Sequence, residues 1–496
     1  MGEASGWLFE PEFNRAIKVC QQDQRITSDA GVLLLREADH RLGLVGSLAE
    51  GMVDPRDSQN VRYTLVELLR ERLYVLGQGY AAQDDVDRLA HDPALRMAVW
   101  DRPGERVLDE RLASQPTQSR LLDALAGTTT NREALRAALS QWVERHLRAG
   151  RGGDHAPRRG TIDVDSFPIE VHGDQRGAAY NGYYKKKIYH PLVASFSVGG
   201  DYDSARLGSG FVHAILRKGN AAAAKGAKRF LRTVTAQCRG LAQVLDVRLD
   251  AGLTHGDVMD QLTLDGVRFL GRLKSNPVLD RLAEPYLTRP VGRPPKEGYE
   301  FAIELGYYQA ESWKLPQRLI LVVVDCPDPR TGQMALFPRY FFIVTNWKPS
   351  EFSAWDVVAH YRRRGTFEDR LGEFNQAVKP RFSSPEFREN EAALLLSLLA
   401  FNLTSMLRSE VEQVAGNGWD LNRFQRTVLK AGGRVAKRSR RLVFHLAKAV
   451  APLWKPLVRR LRCWRLSPRW FAPPPPTRRV WRPPPAHAHL TEVLQL

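Results

Sequence analysis

Apolar residues recur at intervals of three and four along the first part of the chain. Val61, Leu65, Leu68, Leu69, Leu73 and Leu76 line one helical face, and Gly77 and Gly79 follow as stop signals. Thr27 and Ser28 are N-cap candidates ahead of the apolar run Val32–Leu35, and Arg132–Leu147 is a second amphipathic stretch. Residues 1–158 are therefore expected to form a helical N-terminal domain that ends in the Gly/Arg/Pro loop between Ala149 and Gly160. The pattern then changes. Thr161–Ser166, Ile188–Val198, Val244–Asp250 and Val267–Leu273 are rich in Val, Ile and Tyr and predict strands, with a helix at Ala221–Cys238 between them. Strands alternating with helices predict an α/β layer around a central sheet over residues 159–275.

The loop Arg289–Lys296 marks a break. After it, Tyr299–Tyr308, Arg318–Val324 and Tyr340–Thr345 predict a β-rich insertion over residues 276–350. Helical periodicity returns at Trp355 and runs to Leu407, which returns residues 351–410 to the α/β core. Residues 411–496 read as a basic helical segment with a tail of extended polyproline at Pro473–Pro476 and Pro483–Pro485. There is no internal repeat.

Composition narrows the function classes. Hydrophobic residues make up 43% and charged residues 26%, an ordinary globular balance. No apolar run reaches the length of a membrane span, and the N-terminus lacks a secretory pattern, so no membrane partner and a cytoplasmic location are expected. Cys20, Cys238, Cys326 and Cys463 are widely separated, which argues against a zinc site or a disulfide framework. The net charge is +18, but Leu421–Leu496 holds 18 Lys and Arg against the single acid Glu492. Such a field attracts a polyanion, and Trp454, Trp464, Trp470 and Trp481 among the arginines point to nucleic acid.

Three acids stand in settings suited to phosphoryl transfer. Asp165 lies in the strand Thr161–Ser166, and Asp250 ends the strand that precedes Ala251-Gly252. Glu368 shares a helical face with Tyr361, Arg364 and Asn375, at spacings of three, four and seven. Period-2 geometry puts Asp163 on the same face as Asp165, and pattern alone leaves either as the first ligand. Magnesium prefers oxygen ligands, and a pair of ions activates the attacking oxygen and stabilises the leaving one. A lone aspartate is ordinarily a solvated or salt-bridged group; the three together carry the reading. Lys185, Lys186 and Lys187, beside Tyr183 and Tyr184, form an expected phosphate-binding edge. Arg362 and Arg363 flank Arg364 and are expected to support strand binding. His172 and Gln175 either contact DNA or order a loop.

These segments resemble a known family. Ile162–Ser166, His172–Gly177, Asn181–Tyr184, Arg248–Gly252, Phe342–Asn346 and the series Tyr361, Arg364, Glu368 look like a DDE transposase of the IS4-related superfamily, most closely the IS1380 family of insertion sequences. Thr27–Gly31, Gly79-Tyr80, His91–Pro93 and Leu394–Arg408 are similar too, so the resemblance covers roughly residues 10–410. It implies an RNase H-like catalytic core interrupted by a β-rich insertion between Asp250 and Glu368. It also implies two Mg²⁺ ions, with Mn²⁺ as a substitute, held by Asp165, Asp250 and Glu368. Water would first free a 3′-OH, which would then attack another strand. The implied partners are double-stranded DNA, as terminal inverted repeats and target, and a second copy of the chain in a homodimer. Trp347, after the last insertion strand, would by the same resemblance handle a flipped base. Two positions depart from the pattern: Asn375 stands where lysine is usual, and Phe167 where threonine is usual. A catalytically inactive DNA-binding derivative and a plain Mg²⁺-dependent nuclease are the alternative classes.

Overall fold

The computed structural model describes residues 7–20, 25–150, 156–199, 209–289, 292, 297–328, 330–416, 418–438 and 441–466. Trp470, Trp481, both proline stretches and most of the Arg289–Lys296 loop lie outside these residues.

Eight strands form one mixed sheet: β1 (Arg159–Ser166), β2 (Leu192–Val198), β3 (Gly210–Ile215), β4 (Val244–Leu249), β5 (Arg268–Leu273), β6 (Tyr299–Tyr308), β7 (Gln317–Asp325) and β8 (Arg339–Thr345). Their order across the sheet is β6-β7-β8-β5-β4-β1-β2-β3. Only the neighbours β1, β4 and β5 run parallel; every other pair is antiparallel. The helix α4 (Ala227–Cys238) supplies the long crossover that parallel strands require between β3 and β4, and α5 (Gly256–Leu264) links β4 to β5.

Period-2 alternation sorts the strand residues onto two faces. Ile162, Val164, Val247, Leu249 and Phe269 point to one face and pack under α4 and α5. Thr161, Asp163, Asp165, Asp246, Arg248 and Asp250 have the opposite parity. Their face is covered by α6 (Ala354–Arg362) and α7 (Gly365–Ala377), as the contacts of His360 and Arg364 with Thr161, Arg248 and Asp165 show. The sheet is thus sandwiched between helices.

The strands expected as an insertion do not make a separate layer. β8 pairs with the edge of β5, Leu270 opposite Thr345, and β7 and β6 extend the same sheet outward. The physical reason is the open edge of β5, whose free backbone groups β8 satisfies.

The N-terminal helices α1 (Val32–Leu42), α2 (Leu65–Gly77) and α3 (Thr129–Gly150) do not close a core of their own. They share one core with α8 (Phe387–Ala415) and α9 (Ala451–Cys463), at the other end of the chain. Helix α8 is long and apolar enough to cross a membrane, but its apolar window is wholly buried in this core. The C-terminal region is also less helical than its pattern suggests. Gly433–Arg438 and Arg441–Leu446 form a hairpin that pairs with Arg25–Thr27. Trp454 and Trp464, expected to face nucleic acid, are 7% and 4% exposed. The Trp454 indole donates to the Val428 carbonyl and the Trp464 indole to Glu410, so both are core residues.

The segment Thr27–Gly31 is part of this closure. Helix α1 begins at Val32 with Gly31 as its N-cap, not with Thr27 or Ser28. Thr27 instead donates to Asp92, the N-cap of the helix Pro93–Val99, and Asp29 is buried against Lys430 at 2.6 Å and the Tyr80 hydroxyl at 2.9 Å. The Lys430 ammonium also lies 3.3 Å from the centre of the Tyr80 ring. Gly31 passes so close to the Leu429 backbone that an added Cβ would overlap it. A backbone cannot rotate away as a side chain can, so Gly31→Ala is expected to lower stability by about 1–3 kcal/mol or more. A drop in thermal midpoint would show it; an unchanged midpoint would deny the close approach.

Candidate active site

The parallel pairing of β1 and β4 sets the site. Arg248 lies opposite Asp163 and Leu249 opposite Val164, so the next step along each strand brings Asp250 beside Asp165. Both acids sit at the carboxyl ends of adjacent parallel strands, where α/β sheets bind their ligands.

The two aspartates that the pattern left open on β1 have different roles. Asp163 is fully buried and takes a bidentate contact from the equally buried Arg248, at 2.7 and 2.6 Å. Arg248 also donates to the His360 carbonyl at 2.9 Å, near the end of α6. Asp163 therefore has its charge spent inside the fold, and Asp165 is the acid left at the edge. Behind this pair lies a second one. Arg159 and Arg268 both bind Asp246, at 2.9 and 2.7 Å. Their guanidinium groups lie 4.8 and 5.0 Å from the centre of the Trp347 ring, which is 2% exposed. Burial, followed by the charges of Arg248, Arg159, Arg363 and Arg268, pushes the His360 imidazole down to about 2, so it is neutral.

Glu368 arrives from α7. The single helix expected around Tyr361–Leu371 is broken: α6 ends at Arg362, and Arg364 is the N-cap of α7. The buried Arg364 guanidinium sits at this break and holds two of the acids at once. It donates to Asp165 Oδ2 at 2.7 Å and to Glu368 Oε1 at 2.7 Å. Burial disfavours its charge, but Asp165 and Asp163 more than offset this, and the group binds its proton more tightly than a free arginine. Burial, then the charge of Asp165, pushes the Asp250 carboxyl above the usual range, while Arg364 and the Gly252 and Leu253 amides oppose the shift. Tyr361 is held near 12 by burial, with Asp250 and Glu368 both acting on it. Arg364 thus joins Asp165 to Glu368, and the Asp250 carboxyl responds to the charge of Asp165.

Among the described residues, no three His, Cys, Asp or Glu side chains are arranged to hold a metal ion. Asp165 and Glu368 face Arg364 instead. The donor set itself, carboxylate oxygens with one ionisation already disfavoured by another, has the chemistry of a hard divalent cation site. Arg364 occupies only Oε1 of Glu368, whereas both oxygens of Asp165 accept hydrogen bonds, Oδ2 from Arg364 and Oδ1 from the Ser166 amide.

The other expected contacts scatter. Gln175 donates to the Phe382 carbonyl at 2.9 Å, which is loop ordering, and His172 is exposed nearby. Lys186 pairs with Glu170 and Lys187 with Asp174, both at 2.8 Å, while Lys185 is exposed. Asn375 lies two turns beyond Glu368, with its side-chain oxygen buried and lacking a hydrogen-bond partner. Trp347 is the plain correction. Its ring is walled in by Arg159, Arg268, Phe352 and His360 and leaves no face for a base. Arg248 was read as part of a strand motif but not as the partner of Asp163. The available signal was a charge inside an apolar strand, which demands a buried counterion.

The family described as Transposase DDE domain group 1 has a model that matches residues 9–462, and the chain belongs to that family of transposases. Among solved structures, the chain is similar to the piggyBac transposase in its synaptic complex with hairpin DNA. The identity is 12%, 82% of each chain is covered and the TM-score is 0.41. No curated protein matches.

Proposed function

We propose that this transposase cuts and rejoins DNA at the ends of a mobile element of the IS1380 type, using Asp165, Asp250 and Glu368. The observation that carries the reading is the register of β1 and β4, which sets Asp250 beside Asp165 while Arg364 ties Asp165 to Glu368. The strand order β3-β2-β1-β4-β5 supports reading the inner part of the sheet as an RNase H-like core. The three carboxylates would hold two Mg²⁺ ions, which when bound supply an activated oxygen nucleophile and charge neutralisation at the phosphate. Arg364, released from Asp165 and Glu368, would be free to contact a phosphate oxygen. Arg248 would keep α6, and through it the α6–α7 break, over the strand ends. The DNA is double-stranded, and two copies of the chain would act on paired ends.

The test uses the full chain with DNA carrying the terminal repeats that flank its reading frame. Cleavage in Mg²⁺ or Mn²⁺, its loss on chelation and transfer of the cut end to a second duplex are expected. Absence of cutting with either ion would leave a DNA-binding derivative, and cutting without transfer would leave a nuclease.

A further inference from the structure

A small three-stranded sheet grows from the carboxyl end of β1. Its strands Ile169–Glu170, Ala179–Asn181 and Lys186–Tyr189 return the chain to β2, where Leu192 lies opposite Ser166. The sheet is therefore inserted between the carboxyl end of β1, which carries Asp165, and the start of β2. Gly219 docks beneath it so closely that a Cβ would overlap the Ile188 carbonyl.

The turn of this sheet holds two adjacent aromatic residues. Tyr183 and Tyr184 meet edge to face, with centroids 4.9 Å apart, and Tyr184 continues onto His190 at 5.7 Å. Tyr184 is half-buried and feels the charges of Asp165 and Asp250. Tyr183 is 87% exposed, the most exposed of the large hydrophobic side chains described. Asn181 braces the turn, accepting from the Tyr183 amide at 3.1 Å and donating to the Gly219 carbonyl at 2.9 Å. The next residue, Lys185, has φ of 54°, the one non-glycine residue with positive φ among those described. Lys185 closes the turn between the paired strands Ala179–Asn181 and Lys186–Tyr189. From Ile169 to His190 the chain has four Lys and Arg against two acids.

An aromatic ring with a free face, braced on a second ring and flanked by cations, is the chemistry that stacks a base and tracks its phosphate. The expected insertion residue Trp347 has no free ring face. We propose that Tyr183, braced by Tyr184, stacks an unpaired nucleobase of the DNA strand that enters the Asp165–Asp250 edge. This rests on the DNA-processing reading above, but it concerns binding and needs no chemistry.

The experiment uses the full chain in chelator, so that nothing is cut. Two DNAs are compared, a blunt duplex and the same duplex with a short single-stranded extension carrying 2-aminopurine. Wild type is expected to favour the extended DNA and to quench its fluorescence. Tyr183→Ala should lose the quenching and about 5- to 150-fold of the affinity for extended DNA, with blunt-duplex affinity unchanged. Tyr183→Phe, which keeps the ring, should behave as wild type. Unchanged quenching in Tyr183→Ala, or an equal loss on both DNAs, overturns the stacking role and leaves the transposase reading intact. Failure of wild type to bind either DNA overturns both.

Discussion

Asp250→Asn is expected to lower metal-dependent DNA cleavage by about a thousandfold while making the protein more heat-stable at neutral pH. The loss would follow from removing one of the three carboxylates proposed to hold the metal ions, Asp165 and Asp250 at the strand ends and Glu368 on α7. A metal supplies several kcal/mol of charge stabilisation to a phosphoryl transition state, and about 4 kcal/mol corresponds to about three powers of ten in rate. The gain follows from the raised carboxyl of Asp250. A group whose folded pKa lies above its unfolded value contributes stability below the unfolded value and loses it as pH rises through the folded one. At neutral pH the ionised Asp250 is therefore a cost, and asparagine removes it while retaining the oxygen that accepts from the Leu253 amide at 2.9 Å. The thermal advantage should shrink as pH falls through the raised carboxyl of Asp250 and should change no further once pH is below the ordinary carboxylate range. Cleavage within about tenfold of wild type, or a lower midpoint at neutral pH, would contradict this account.

Two neighbouring aspartates should respond to different degrees. Asp163→Ala leaves the fully buried Arg248 without its counterion, and breaking such a pair costs about 3–5 kcal/mol. The midpoint should fall sharply and activity with it, because Arg248 also fixes the end of α6. Asp165→Ala removes a partly exposed carboxylate, and Arg364 keeps its contact with Glu368. Arg364 is buried and loses the less exposed of these two counterions, so the midpoint should fall, but by less than in Asp163→Ala, while cleavage is lost. Equal midpoints for the two variants would refute the division of labour on β1.

How much of this was legible depends on the kind of interaction. Local pattern located α2, β4 and β6 through β8 to within a few residues, because burial on one face writes a period into the chain. It also singled out Asp165, Asp250 and Glu368 as candidates. It missed the break between α6 and α7, because Arg364 keeps helical dihedrals through it. It missed β3, a short buried run interrupted by His213. Long-range pairing was beyond it: a solitary arginine on β4 does not announce Asp163, and Trp454 among basic residues looks the same in a core as on a surface. The charge of the C-terminal segment was read correctly as composition, but its hairpin was hidden because its strand partner lies at Arg25–Thr27.

The Lys430–Asp29 contact joins residues 401 positions apart. Helices made first on the ribosome therefore wait for almost the whole chain before their core can close. Bringing such distant segments together carries the entropy of a very long loop, so this closure belongs late in folding. A product cut short before Lys430 would hold Asp29 without that cation, and one cut short before α8 would also leave the apolar sides of α1 and α2 without the long helix they pack on. Such fragments are fit for aggregation or proteolysis, and the core closes only once the chain has been made past Lys430.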